Sequence, residues 1–124
     1  MNWLAVGVGA TLGAWLRWGL SLWLLGLHTR LVLATLAANW GGSYLIGVAI
    51  AFFSEYPALS PAWRLFVITG FLGGLTTFST FSAEAMAYLQ RGEYGWAFGH
   101  GALHVLGSIG CCILGVMSWR ALFG

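Results

Sequence analysis

The chain contains no lysine, and its five arginines and three acidic residues leave only 6% of 124 residues charged. Soluble domains carry about 25%. So little charge cannot coat a water-facing surface, and 60% of the residues are hydrophobic. The sequence therefore reads as an integral membrane protein. A formal net charge of +2, with no Lys/Arg cluster, excludes nucleic acid as a partner. The two cysteines, Cys111 and Cys112, are adjacent. Neighbours on a helix point apart, which excludes a mutual disulfide and leaves two small packing residues. The N-terminus lacks a basic n-region, so its apolar run reads as a span rather than a cleaved signal peptide. No nucleophile, base and orienting group stand in a recognisable set, and enzymatic activity is not expected.

What is present is a succession of apolar runs. A membrane span needs roughly 20 such residues, and four candidates occupy about 3–26, 31–54, 62–89 and 94–119. Short polar connectors separate them: His28-Thr29-Arg30, then Glu55 to Pro61, then Gln90-Arg91-Gly92-Glu93. Pro61 is suited to the first position of a helix. Short connectors favour antiparallel neighbours, which predicts a single four-helix domain over 1–124. Small residues at four-residue spacing, Gly9 and Gly13, then Gly107, Cys111 and Gly115, predict close helix packing.

The third run departs from this pattern. Residues 73–81 read Gly-Gly-Leu-Thr-Thr-Phe-Ser-Thr-Phe. Gly73 and Gly74 tolerate backbone angles that other residues resist, so the helix is expected to break near its middle. Irregular backbone at membrane depth survives only when buried in protein or lining a polar cavity. Phe78 and Phe81 lie three apart, and an aromatic ring has a positive edge that can face a small anion; plain packing is the alternative. Thr35, Asn39 and Ser43 share one face of the second span. His100, His104, Ser108 and Cys112 form a stripe on the fourth. Both stripes fit either interhelical hydrogen bonding or a shared hydrated path rich in donors and free of acid, which suits an anion. Arg17 lies deep in the first span, where a charge is expensive; anion attraction and structural pairing both fit. Glu84 is expected near a membrane surface or paired with a polar group. His100 and His104 stand four apart, but no Cys, Asp or Glu cluster in the sequence accompanies them, so a metal or haem site is not expected there.

Arginines outside the span interiors set orientation. Arg30 and Arg91 fall on one side, Arg64 and Arg120 on the other. The balance predicts either dual topology, with two chains pairing head-to-tail, or a single topology fixed by loop context.

Positions 70–84, Gly-Phe-Leu-Gly-Gly-Leu-Thr-Thr-Phe-Ser-Thr-Phe-Ser-Ala-Glu, resemble the signature of the Fluc (CrcB) family of small bacterial fluoride channels. The resemblance extends over the whole chain, through Arg17, Thr35 and Asn39, the broken third span and the polar fourth. It implies an all-α membrane protein of four transmembrane helices, working as an antiparallel dual-topology homodimer with two pores. It further implies passive export of fluoride across the bacterial inner membrane. Backbone carbonyls of Gly73 and Thr76 from both subunits would hold a central Na⁺. Phe78 and Phe81 would line the pores, and Asn39 would orient pore groups. Ser79, Thr80, His104 and Ser108 would contribute a polar track, with Arg17 matching the first-span arginine. The competing class is a small multidrug exporter coupled to protons. That chemistry needs a membrane-embedded acid, and the first span has none.

Overall fold

The computed structural model describes residues 1–25 and 32–124. Every regular element among them is helical. Helix α1 covers Asn2–Trp23 and α2 covers Leu33–Glu55. The third span opens with α3, Pro61–Arg64, capped by Ser60, whose Oγ accepts from Ala62 N–H, with Pro61 in the first turn. It continues as a π-helical stretch, Leu65–Leu72, and a short α4, Gly73–Leu75. After the break, α5 runs over Ser79–Gln90, and α6 over Tyr94–Phe123. The connector carrying Arg30 lies outside the described residues.

Among the described residues, three helical segments are long and apolar enough to cross a membrane: Leu33–Glu55, Pro61–Gln90 and Tyr94–Phe123. Helix α1 has the length, 22 residues, but Arg17 and its tryptophans dilute its apolar character. The fourth helix runs past the expected end at 119 to Phe123. Arg-Ala-Leu are good helix formers, and nothing stops the helix before Gly124.

Burial is arranged as lipid requires. The exterior is apolar: Trp3, Trp15, Trp18, Phe98 and Leu122 are all exposed. The interior includes Thr35, Asn39, His100 and His104 beside Ala34, Ala38 and Leu72. Lipid gives no reward for hiding a leucine, so polar groups go inside and backbones approach closely where residues are small. Helix α1 lies along the third span, and α2 along α6. A Cβ on Gly13 would strike the Phe71 carbonyl, and one on Gly74 the backbone of Ala10. On the other side, Gly47 meets the Cys112 carbonyl, Gly115 the Tyr44 carbonyl, and Gly107 the Trp40 ring. The expected packing role of Gly9, Gly13, Gly107 and Gly115 is thus seen; the α6 position that complements Gly47 is Cys112 rather than Cys111.

The break falls near the middle of the third span, as expected, but its cause differs. Gly73 is helical, with φ −64° and ψ −37°, and among the described residues only Gly92 is a glycine with positive φ. The chain leaves the helix at Thr76, whose ψ is 156°. Gly74 is small because Ala10 sits against it, not because its backbone needs special angles. The π-helical stretch before the break had no counterpart in the hydrophobic pattern.

Candidate functional site

A helix that stops and resumes leaves amides and carbonyls without their usual partners. Side chains claim them here. Thr77 N–H would have closed the helical bond to Gly73 O. It donates instead to Asn39 Oδ1 at 2.7 Å. Asn39 Nδ2 donates to Thr77 O at 3.0 Å. One side-chain amide on α2 thus replaces the missing turn. Gly74 O receives Arg17 Nε at 3.4 Å. Thr77 Oγ1 accepts Thr80 N–H at 3.1 Å and so caps α5. Thr76 Oγ1 donates back to Leu72 O at 2.9 Å.

The clamp on Thr77 also fixes a histidine. Thr77 N–H can only donate and its carbonyl can only accept, so the orientation of the Asn39 amide is determined. The Nδ2 group then faces His104 Nδ1 at 3.1 Å. As Nδ2 only donates, Nδ1 must accept, and the neutral ring carries its proton on Nε2. His104 is buried.

A cavity of about 320 Å³ opens beside this clamp. Its polar walls are Asn39 and Ser43 from α2, Thr76 and Thr77 from the break, and His104 and Ser108 from α6. Phe78 and Phe81 complete the wall with Val105 and Ile109. The two phenylalanine rings are 5.5 Å apart and inclined by 56°. Phe81 also stacks on His100 at 5.0 Å and packs on His104 at 4.8 Å. Imidazoles therefore take up ring face. Phe78 is 75% exposed on the single chain.

Of the sequence-predicted residues, Asn39, Phe78, Phe81, His104 and Ser108 come together at the cavity. Ser79 and Thr80 do not line it; they begin α5, with Ser79 Oγ 3.4 Å from Thr77 Oγ1. Arg17 reaches the break from α1, in the structural pairing left open above. Gly73 is exposed and Thr76 half-buried.

Residues 4–116 match the family described as CrcB-like protein, Camphor Resistance (CrcB). The chain belongs to the CrcB family. It is 55% identical over 122 residues to the Fluoride-specific ion channel FluC of Cupriavidus pinatubonensis, covering 98% of this chain and 97% of that one. It is 56% identical over 119 residues to the protein of the same name from Chromohalobacter salexigens, covering 96% and 90%. A third FluC, from Pseudomonas putida, is 54% identical over 121 residues, covering 98% and 95%.

Outside the cavity lining, this CrcB chain brings together a second polar group, whose meeting across three helices the sequence did not show. Thr35 Oγ1 donates to Glu84 Oε2 at 2.6 Å. His100 Nε2 lies 3.3 Å from Glu84 Oε1. Glu84, half-buried, thus takes the polar pairing allowed for it, and the expectation that no acid accompanies the two histidines is corrected. The available signal was the helix period: Thr35 and Asn39 form one ladder on α2, His100 and His104 another on α6, and Glu84 lies one turn beyond the phenylalanines.

Proposed function

We propose that the protein is a fluoride channel that lets the ion cross the bacterial inner membrane passively, down its electrochemical gradient. The observation that carries this reading is the cavity. It offers hydroxyls, an amide, an imidazole and two aromatic rings, and among the described residues no lysine, arginine or carboxylate lines it. Fluoride is small and strongly hydrated. A path for it must replace water with donors yet hold the ion weakly enough to let it leave. Hydroxyls of Ser43, Thr76, Thr77 and Ser108 meet the first need, and ring edges meet the second without the trap that a bound cation would make. The names of the relatives support the same substrate. Glu84, the acid inside the membrane-spanning part, is held by Thr35 and His100, and α1 supplies none, so proton-coupled cation export has no support.

In this proposal one four-helix domain pairs with an antiparallel second copy in lipid, giving two pores. The exposure of Phe78, a cavity-lining residue, supports a partner that covers it. Near-balanced arginines support dual topology. Na⁺ would lie on the dimer axis, held by Gly73 and Thr76 carbonyls of both chains. The donor set fits a small hard cation: Gly73 O has lost the Thr77 amide to Asn39, and neutral carbonyl oxygens can replace a hydration shell. Ser79, Thr80 and Arg17 act in this scheme by supporting the break. Purified protein in liposomes should release fluoride, and neither chloride nor a cationic dye at comparable rate. A flux that requires a proton gradient would show a coupled transporter instead.

A further inference from the structure

We infer that Glu84, His100 and His104 form a binding site for a divalent transition ion of the zinc class. One ligand atom from each lies within 4.8 Å of the other two. Two imidazoles one helical turn apart and a carboxylate from a facing helix make a three-ligand set of the kind zinc uses when one position stays open. The His100 ring is the second, independent sign. It is 1% exposed, its Nε2 meets Glu84 Oε1 at 3.3 Å without the alignment of a hydrogen bond, and its Nδ1 makes no hydrogen bond among the described residues. A buried imidazole so poorly satisfied is costly, and a metal ion between the ring and the carboxylate would satisfy both.

The geometry needs little change. In a tetrahedron with bonds of about 2.0–2.2 Å, ligand atoms stand about 3.4 Å apart. His100 Nε2 and Glu84 Oε1 are already at 3.3 Å. No pair of ligand atoms is farther apart than 4.8 Å, so reaching the tetrahedral spacing takes side-chain movements of roughly 1.4 Å or less. Thr35 holds the other carboxylate oxygen at 2.6 Å, as outer partners of metal-bound carboxylates do. Borderline-soft ions suit imidazole, whereas Na⁺, Mg²⁺ and Ca²⁺ prefer all-oxygen sets. The site is therefore separate from any Na⁺ held by Gly73 and Thr76. His104 borders the cavity, which gives the ion its approach and places the open position toward it.

Binding here competes with the clamp at the break. If the ion takes His104 Nδ1, it uses the lone pair that accepts Asn39. If it takes Nε2, the ring proton must move to Nδ1, which then faces the Asn39 Nδ2 group as a second donor. Either way the Asn39–His104 bond is given up, so metal loading loosens the amide that holds Thr77.

Titrating Co²⁺ into the detergent-solubilised full chain tests this without measuring flux. The expected result is an intense visible absorption of a low-coordinate Co²⁺ complex, saturating at one ion per chain and displaced by Zn²⁺. His100→Gln and Glu84→Gln should each abolish it. Thr35→Val, which keeps all three ligands, should weaken binding by about 10-fold, as loss of an outer partner typically does. The wild type alone decides the matter if a variant fails to fold. No saturable absorption in the wild type, or undiminished absorption in a folded His100→Gln protein, would overturn the site.

Discussion

Asn39 does more than any other single residue. It replaces two backbone hydrogen bonds at the break and sets the tautomer of His104. Asn39→Ala would strand both polar groups of the Thr77 peptide, at about 1–3 kcal/mol for each buried group left unsatisfied. Thermal unfolding in detergent should show a clear drop, and an unchanged melting temperature would mean that water reaches the break freely. Phe78 and Phe81 make a different kind of claim. Isoleucine keeps the bulk and removes the quadrupole; taking a contact of ring edge with ion as comparable to one between two rings, that is about 0.5–1.5 kcal/mol each. Each single variant should conduct up to about tenfold more slowly in a liposome efflux assay, with its elution on size exclusion unchanged. Equal fluxes would return both rings to packing. At this scale the sequence was partly legible. Thr35, Asn39 and Ser43 declared one helix face, and His100, His104 and Ser108 another. Which residues would meet across the two could not be read, because pairing depends on how the helices rotate against each other. Glu84 beside His100 is the clearest instance.

The helices themselves were legible wherever hydrophobicity alone decides them. Helices α2 and α6 begin at Leu33 and Tyr94, within a few residues of the starts of two apolar runs. The broken span was foreseen for the wrong reason. Glycine suggested freedom of backbone angle, whereas Gly74 answers to the nearness of Ala10, and the exit from the helix falls at Thr76. The π-helical stretch from Leu65 to Leu72 was invisible, since apart from Thr69 and Gly70 its residues are large and apolar and carry no period that distinguishes wide from narrow turns. These findings separate three glycines experimentally. Gly74→Ala should unfold or aggregate the protein, because its Cβ would meet backbone on a packed helix. Gly99→Ala has open space and should stabilise by about 0.5–1 kcal/mol through lost chain entropy. Gly73→Ala clashes with nothing closer than Ile68 O at 3.5 Å. Any large loss of flux from it would therefore come from a partner chain or an ion rather than from this fold. Thermal melts and efflux on the same three preparations would sort them.

At the scale of the whole molecule, a single chain leaves Phe78 exposed beside a cavity, and Gly73 exposed on the break. In the proposed dimer a second, inverted copy would cover both. Its consequence is checkable in sealed vesicles: an N-terminal tag should be reached by an impermeant reagent from both sides. Labelling of all N-termini from one side alone would rule out dual topology. Membership of the CrcB family is established by sequence, and conduction of fluoride by this chain is the central claim. Fluoride-loaded liposomes containing the purified protein, with valinomycin to release the charge built up by the moving anion, test it most directly. Fluoride efflux should be rapid, stop without valinomycin, need no proton gradient, and give way to little or no flux when chloride is loaded instead. Fluoride release no faster than from protein-free liposomes would contradict it.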